Sequence, residues 1–103
     1  MGKDNGYKVS TAEETQDFLT AHQEWQLEEN HLKSSFKLAD FATAVAVMNE
    51  TFKVAASMNH HPRLTNTYDQ LAFSLCTHSA GDKVTSYDIA MAQEIDLIVA
   101  KWQ

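Results

Sequence analysis

Apolar residues recur along this chain in two rhythms, one helical and one alternating. Ser10-x-x-Glu13, overlapped by Thr11-x-x-Glu14, reads as a capping box that opens a short helix ending near His22. Its apolar content is thin (Ala12, Phe18, Leu19, Ala21), so it covers the fold with one narrow stripe. Trp25 and Leu27 then alternate with polar neighbours, and Leu32, Phe36 and Leu38 share one parity. Polar Glu28-Glu29-Asn30-His31 separates the two runs, which is the pattern of a strand hairpin.

Asp40 is placed to cap a helix over residues 41–57. That helix has two apolar stripes: Phe41, Val45, Met48, Phe52 and Ala55, and Ala44, Val47, Val54 and Met58. One stripe covers the core; the other implies a subunit contact or deep burial. After Pro62 the chain is extended again, with Leu71, Phe73 and Leu75 alternating with Gln70, Ala72, Ser74 and Cys76. Ser79-Ala80-Gly81-Asp82 is a loop, and Thr85-x-x-Asp88 opens a last helix with the stripe Met91, Ile95, Ile98 and Trp102. The order predicts an α+β sandwich, an antiparallel sheet with helices on one face. Residues 1–9 read as a flexible lead-in and 10–103 as one domain.

The length of 103 residues suits a single small core whose exposed faces are candidates for a partner subunit. The net charge of −6, from 8 basic and 14 acidic residues, argues against direct nucleic-acid binding and against an anionic membrane surface. Cys76 is the one cysteine, so no intrachain disulfide is available, which fits a reducing compartment. The polar start MGKDNGYKVS lacks the apolar stretch of a signal peptide. Gly6 stands where a myristoylation signal has Ser or Thr, which argues against lipidation at Gly2. A cytoplasmic location is the expectation.

Candidate chemistry sits in MNHHPRL, residues 58–64. The residue before a proline is pushed to extended backbone, so the preceding helix ends near Met58-Asn59 and displays His60 and His61 at its end. His78 has the parity opposite to Leu71, Phe73 and Leu75, so it projects from the opposite face or sits where the strand ends rather than in the core, and Thr77 before it and the loop after it put it at a rim. His22 and His31 read as surface residues. The three remaining imidazoles admit three readings. They are locally bonded loop residues, or metal ligands, for which no recognised zinc spacing is present. Or they are acid–base groups suited to neutral pH.

The run Asn59-His60-His61-Pro62, then Tyr68, His78 and Asp88, resembles the signature of the pterin-4a-carbinolamine dehydratases. FKLADFATAVAVMNETFKVAASMNHHP and THSAGDKVTSYDIAMAQEID resemble the family on either side, over about residues 24–102. The resemblance implies a four-stranded antiparallel sheet with three helices on one face, assembled as a homodimer or homotetramer. It implies loss of water from a 4a-hydroxytetrahydropterin, in tetrahydropterin recycling, without cofactor or metal. By position, His60 and His78 resemble the acid–base pair and His61 the histidine that holds the pterin. Tyr68, Thr77 and Asp88 resemble supporting residues, and Asp88 is a helix cap first. One position departs: four residues before His60 the family carries an acidic or polar residue, and here stands Ala56. Asp69, Glu50 or a neighbouring subunit are the candidates to replace it. The resemblance also allows a non-catalytic reading, a pterin-binding or protein-binding regulatory module on the same fold.

Overall fold

The computed structural model describes residues 6–103. Gly2 and the first five residues of the expected lead-in therefore lie outside the described chain. Thr11 is the cap of α1 (Ala12–Ala21): its hydroxyl accepts from the Glu14 N–H while the Glu14 carboxylate accepts from the Thr11 N–H at 2.8 Å. The box at Thr11 is formed, and that at Ser10 is not, because the Ser10 N–H donates to the Val84 carbonyl instead.

Next come β1 (Trp25–Glu28) and β2 (His31–Lys37). Between them Glu29 and Asn30 both have positive φ, 53° and 64°, the backbone of a two-residue hairpin turn. The sequence α2 (Phe41–Met58), β3 (Arg63–Thr67) and β4 (Gln70–Leu75) follows, then a 3-10 turn over His78–Ala80 and α3 (Ser86–Trp102). The sheet is antiparallel in the order β1-β2-β4-β3. The expected α+β fold, four strands and three helices, is what the chain forms.

Alternation decides the faces. Leu32, Ser34 and Phe36 of β2 pair with Leu75, Phe73 and Leu71 of β4, and all six are buried under the helices. Lys33, Ser35, Gln70 and Ala72 take the opposite face. Trp25, Phe36 and Phe73 pack with ring centroids 6.0 to 6.4 Å apart. Each such buried ring contributes about 1.5–3 kcal/mol through area removed from water. The Trp25 indole N–H donates to Asp96 of α3 at 2.8 Å, and Asp96 also accepts from His22, whose ring stacks on Phe18. His22 is thus a tie between α1, β1 and α3 rather than a plain surface residue.

On α2 the buried face is Ala44, Val47, Thr51 and Ala55. Phe41 and Phe52 point away from the core and are half exposed, as are Leu97 and Trp102 on α3. Among the described residues no helix is long and apolar enough to cross a membrane.

Candidate active site

The end of α2 places His60. Asn59 adopts left-handed backbone (φ 51°, ψ 43°), which Asn tolerates better than most residues. The His60 N–H then donates to the Ala55 carbonyl and the Asn59 N–H to the Ala56 carbonyl, the paired bonds of a Schellman ending. The chain reverses there, and His60 turns inward to only 8% exposure.

Its Nε2–H donates to Asp88 Oδ1 at 2.6 Å. Asp88 is fully buried, and its other oxygen accepts from the Thr77 hydroxyl and the Thr85 N–H, each at 2.8 Å. The Thr85 hydroxyl lies 2.7 Å from that of Thr77 and completes the network. One carboxylate therefore caps α3, pins the end of β4 through Thr77, and fixes His60 in the tautomer that carries hydrogen on Nε2. The expected cap and the expected support of the histidine are the same group. Nδ1 of His60 is left as the nitrogen not committed to the carboxylate, the arrangement of a positioned acid or base.

Above this network is a cleft of about 260 Å³ walled by Tyr7, Met58, Asn59, His60, Thr77, Ser79 and Tyr87. His78 is not one of the wall residues, although it stands between two of them, Thr77 and Ser79, on the turn that follows β4. Its Nδ1–H donates to Asp82 at 2.8 Å, and its ring is otherwise open to solvent. His61 is exposed and is not part of the wall. Tyr68 is farther off. It sits in the β3–β4 turn, 65% exposed, with φ 53°. At about 3.3 Å per residue, β3 carries it to the opposite end of the sheet.

Neither residue expected to stand in for the missing acid at Ala56 reaches the cleft. Asp69 is in the same distant turn, where its carbonyl accepts from the Leu38 N–H. Glu50 is taken up by Lys101 and Trp102 of α3. Cys76 is half-buried; burial, reinforced by the Asp82 and Asp88 charges, pushes its thiol up. Among the described residues, no three His, Cys, Asp or Glu side chains are grouped to hold a metal ion.

The family described as Pterin 4 alpha carbinolamine dehydratase matches residues 8–98. The chain belongs to the pterin-4-alpha-carbinolamine dehydratase family. A protein of Sulfurisphaera tokodaii that carries the dehydratase name is 35% identical over 89 residues, 86% of this chain and 95% of the relative. One of Opitutus terrae is 31% identical over 90 residues, 87% of this chain and 93% of the relative. A crystal structure of a Brucella melitensis protein described as a transcriptional coactivator/pterin dehydratase superposes with a TM-score of 0.84. It is 33% identical and covers 89% of this chain and 99% of its own. A pterin dehydratase-like RuBisCO assembly factor of the alpha-carboxysome shares the fold at a TM-score of 0.60. It is 16% identical and covers 73% of this chain and 86% of its own.

Two wall residues of this family member were not legible in the histidine motif. Tyr87 follows the Thr85 cap by two positions, and nothing in the helix pattern marks it. Tyr7 lies in the segment read as a lead-in, where no periodicity applies.

Proposed function

We propose that this chain dehydrates a 4a-hydroxytetrahydropterin to the quinonoid dihydropterin. The carbon–oxygen bond at position 4a breaks, the leaving hydroxyl takes one proton and departs as water, and a ring nitrogen gives up one proton. Protons are conserved: the acid loses one, the base gains one, and solvent exchange restores both. His60 and His78 are the groups assigned to this pair, with His61 as a further contact to the pterin from outside the cleft wall. The observation that carries the reading is the buried His60–Asp88 bond beside a cleft that His60 helps to wall, with His78 on the turn between two further wall residues, Thr77 and Ser79. In each imidazole one nitrogen donates to a carboxylate, so the other is the exchangeable one: Nδ1 of His60, Nε2 of His78. The protein acts as a homo-oligomer in the cytoplasm, in recycling of the reduced pterin that hydroxylases consume.

The test generates the 4a-hydroxypterin with an aromatic amino-acid hydroxylase and follows its decay. Wild-type chain accelerates the decay, and His60→Ala and His78→Ala each lose acceleration by about 10²–10⁴-fold, the usual worth of a positioned acid or base. Acceleration that survives both substitutions removes the assignment. A protein-binding role is the second reading. The half-exposed Phe41 and Phe52 on α2 and Leu97 on α3 favour it, since such side chains are the usual material of an interface.

A further inference from the structure

His78 is an imidazole that packing does not hold. Its side chain is 95% exposed, so its rotamer is not set by neighbours. Among the described residues its ring makes one hydrogen bond, from Nδ1–H to the Asp82 carboxylate at 2.8 Å.

That carboxylate is itself held by the backbone beneath it. Gly81 and Asp82 both have positive φ, 78° and 60°, which Gly adopts freely and Asp more readily than most residues. The two residues turn the chain back onto Thr77. The Thr77 N–H donates to the Lys83 carbonyl at 2.8 Å, and the Thr77 carbonyl accepts from the N–H of Asp82 at 3.2 Å. Thr77 is buried, and its hydroxyl donates to Asp88, the partner of His60. Both histidine–carboxylate pairs therefore hang on one residue, Asp88 through the Thr77 side chain and Asp82 through its backbone. Ala56, one turn before His60, has no carboxylate to offer. Asp88 and Asp82 are the two acids that the described residues hold against a motif imidazole.

An ionised carboxylate only accepts, so it selects the imidazole tautomer with hydrogen on the facing nitrogen. Against Asp82 that nitrogen is Nδ1, and Nε2 keeps its lone pair. A histidine side chain free in water turns about its bonds and favours hydrogen on Nε2 instead.

We propose that Asp82 is the positioning residue of His78. It holds the exposed ring on the turn beside the cleft and leaves Nε2 as the nitrogen that exchanges a proton with substrate. Asp82 itself neither gains nor loses a proton. The use of Nε2 in dehydration rests on the function proposed above; the hold on the ring does not.

The tautomer is read without turnover. The full-length chain, with isotopically labelled histidine, is taken to about pH 8.5, above the ordinary range of imidazole titration. Long-range nitrogen–proton correlation spectra report which nitrogen of each ring carries hydrogen, and His78→Ala identifies the His78 signals. His78 carries hydrogen on Nδ1 in wild type and reverts to Nε2 in Asp82→Gly. Glycine suits the positive φ at this position, so the turn survives loss of the side chain. In the hydroxylase-coupled assay Asp82→Gly lowers kcat about five- to tenfold with KM close to wild type. That is less than a buried partner is worth, because water competes at an exposed pair. In the His78→Ala background Asp82→Gly costs nothing further. Hydrogen on Nε2 of His78 in wild type overturns the assignment. An unchanged kcat in Asp82→Gly overturns it too. So does an equal loss in the His78→Ala background, since Asp82 then acts on the fold and not through His78. A wild-type chain that does not speed dehydration overturns the proposed function and the use of Nε2 with it, while the spectra still decide whether Asp82 holds the ring.

Discussion

At the scale of single residues, Asp88 carries the most consequence. It has no contact with solvent and accepts from an imidazole, a hydroxyl and a backbone N–H. Asp88→Asn replaces one accepting oxygen with an amide nitrogen, which must face a donor. A buried donor left unmatched, on a site built for a carboxylate, costs about 2–4 kcal/mol. Urea denaturation will show that loss, and Thr77→Val, which removes one donor and leaves the cap, will show a smaller one. An unchanged midpoint for Asp88→Asn would mean the network contributes nothing to stability. The sequence disclosed half of this. Thr85-x-x-Asp88 announced a helix cap because capping depends on local spacing. The bond to His60, 28 residues earlier, is set by how α2 packs on α3, and no local pattern encodes it. His61 shows the reverse limit: adjacency in sequence to His60 says nothing of a shared cleft, since adjacent extended residues point apart.

Among the elements, helix starts were legible, and so was the face of α3, where Met91, Ile95 and Ile98 of the expected stripe are buried; the face of α2 was not. Two apolar stripes on α2 left open which one met the core. The structure buries small residues, Ala44, Val47, Thr51 and Ala55, and turns the phenylalanines out. Small side chains let the helix approach its neighbours closely, and the Thr51 hydroxyl is satisfied by the Val47 carbonyl at 2.8 Å. Bulk alone is therefore a poor guide to burial. The caps themselves lead to a pH prediction. The Thr11 N–H, first among its causes, holds the Glu14 carboxyl below its ordinary value. The Thr43 hydroxyl and then its N–H do the same for Asp40. A carboxyl held low in the folded state binds its proton less readily there than in the unfolded chain. Its contribution is complete above the ordinary carboxylate range and disappears as pH falls through the lowered value. The double variant Glu14→Gln, Asp40→Asn keeps side chains that can bond at both caps but removes the titration. Its unfolding free energy should fall less steeply than wild type between about pH 5 and 3. Parallel slopes in the two proteins would mean that the caps do not contribute to acid lability.

For the whole molecule, the question is what the outer faces of α2 and α3 meet. A chain of 103 residues buries a modest fraction of its surface, and here Phe41, Phe52, Leu97 and Trp102 stay between 40% and 66% exposed. The sequence signalled this through a helix with more apolar surface than one core can use, but it could not name the occupant. Self-association is the simplest occupant, because a second copy brings the same apolar face to the contact. Sedimentation velocity should then show wild type as a dimer or larger. Phe52→Glu or Leu97→Glu should each drive the protein toward monomer with its helical signal intact, since both side chains lie outside the core. Monomeric variants that still dehydrate the pterin would place the whole cleft within one chain. Oligomers that resist both charges would move the contact to the outer edges of β1 and β3, which have no neighbouring strand on one side among the described residues. A monomeric wild type would leave the apolar face to a different protein, and the regulatory reading would gain what the oligomeric one lost.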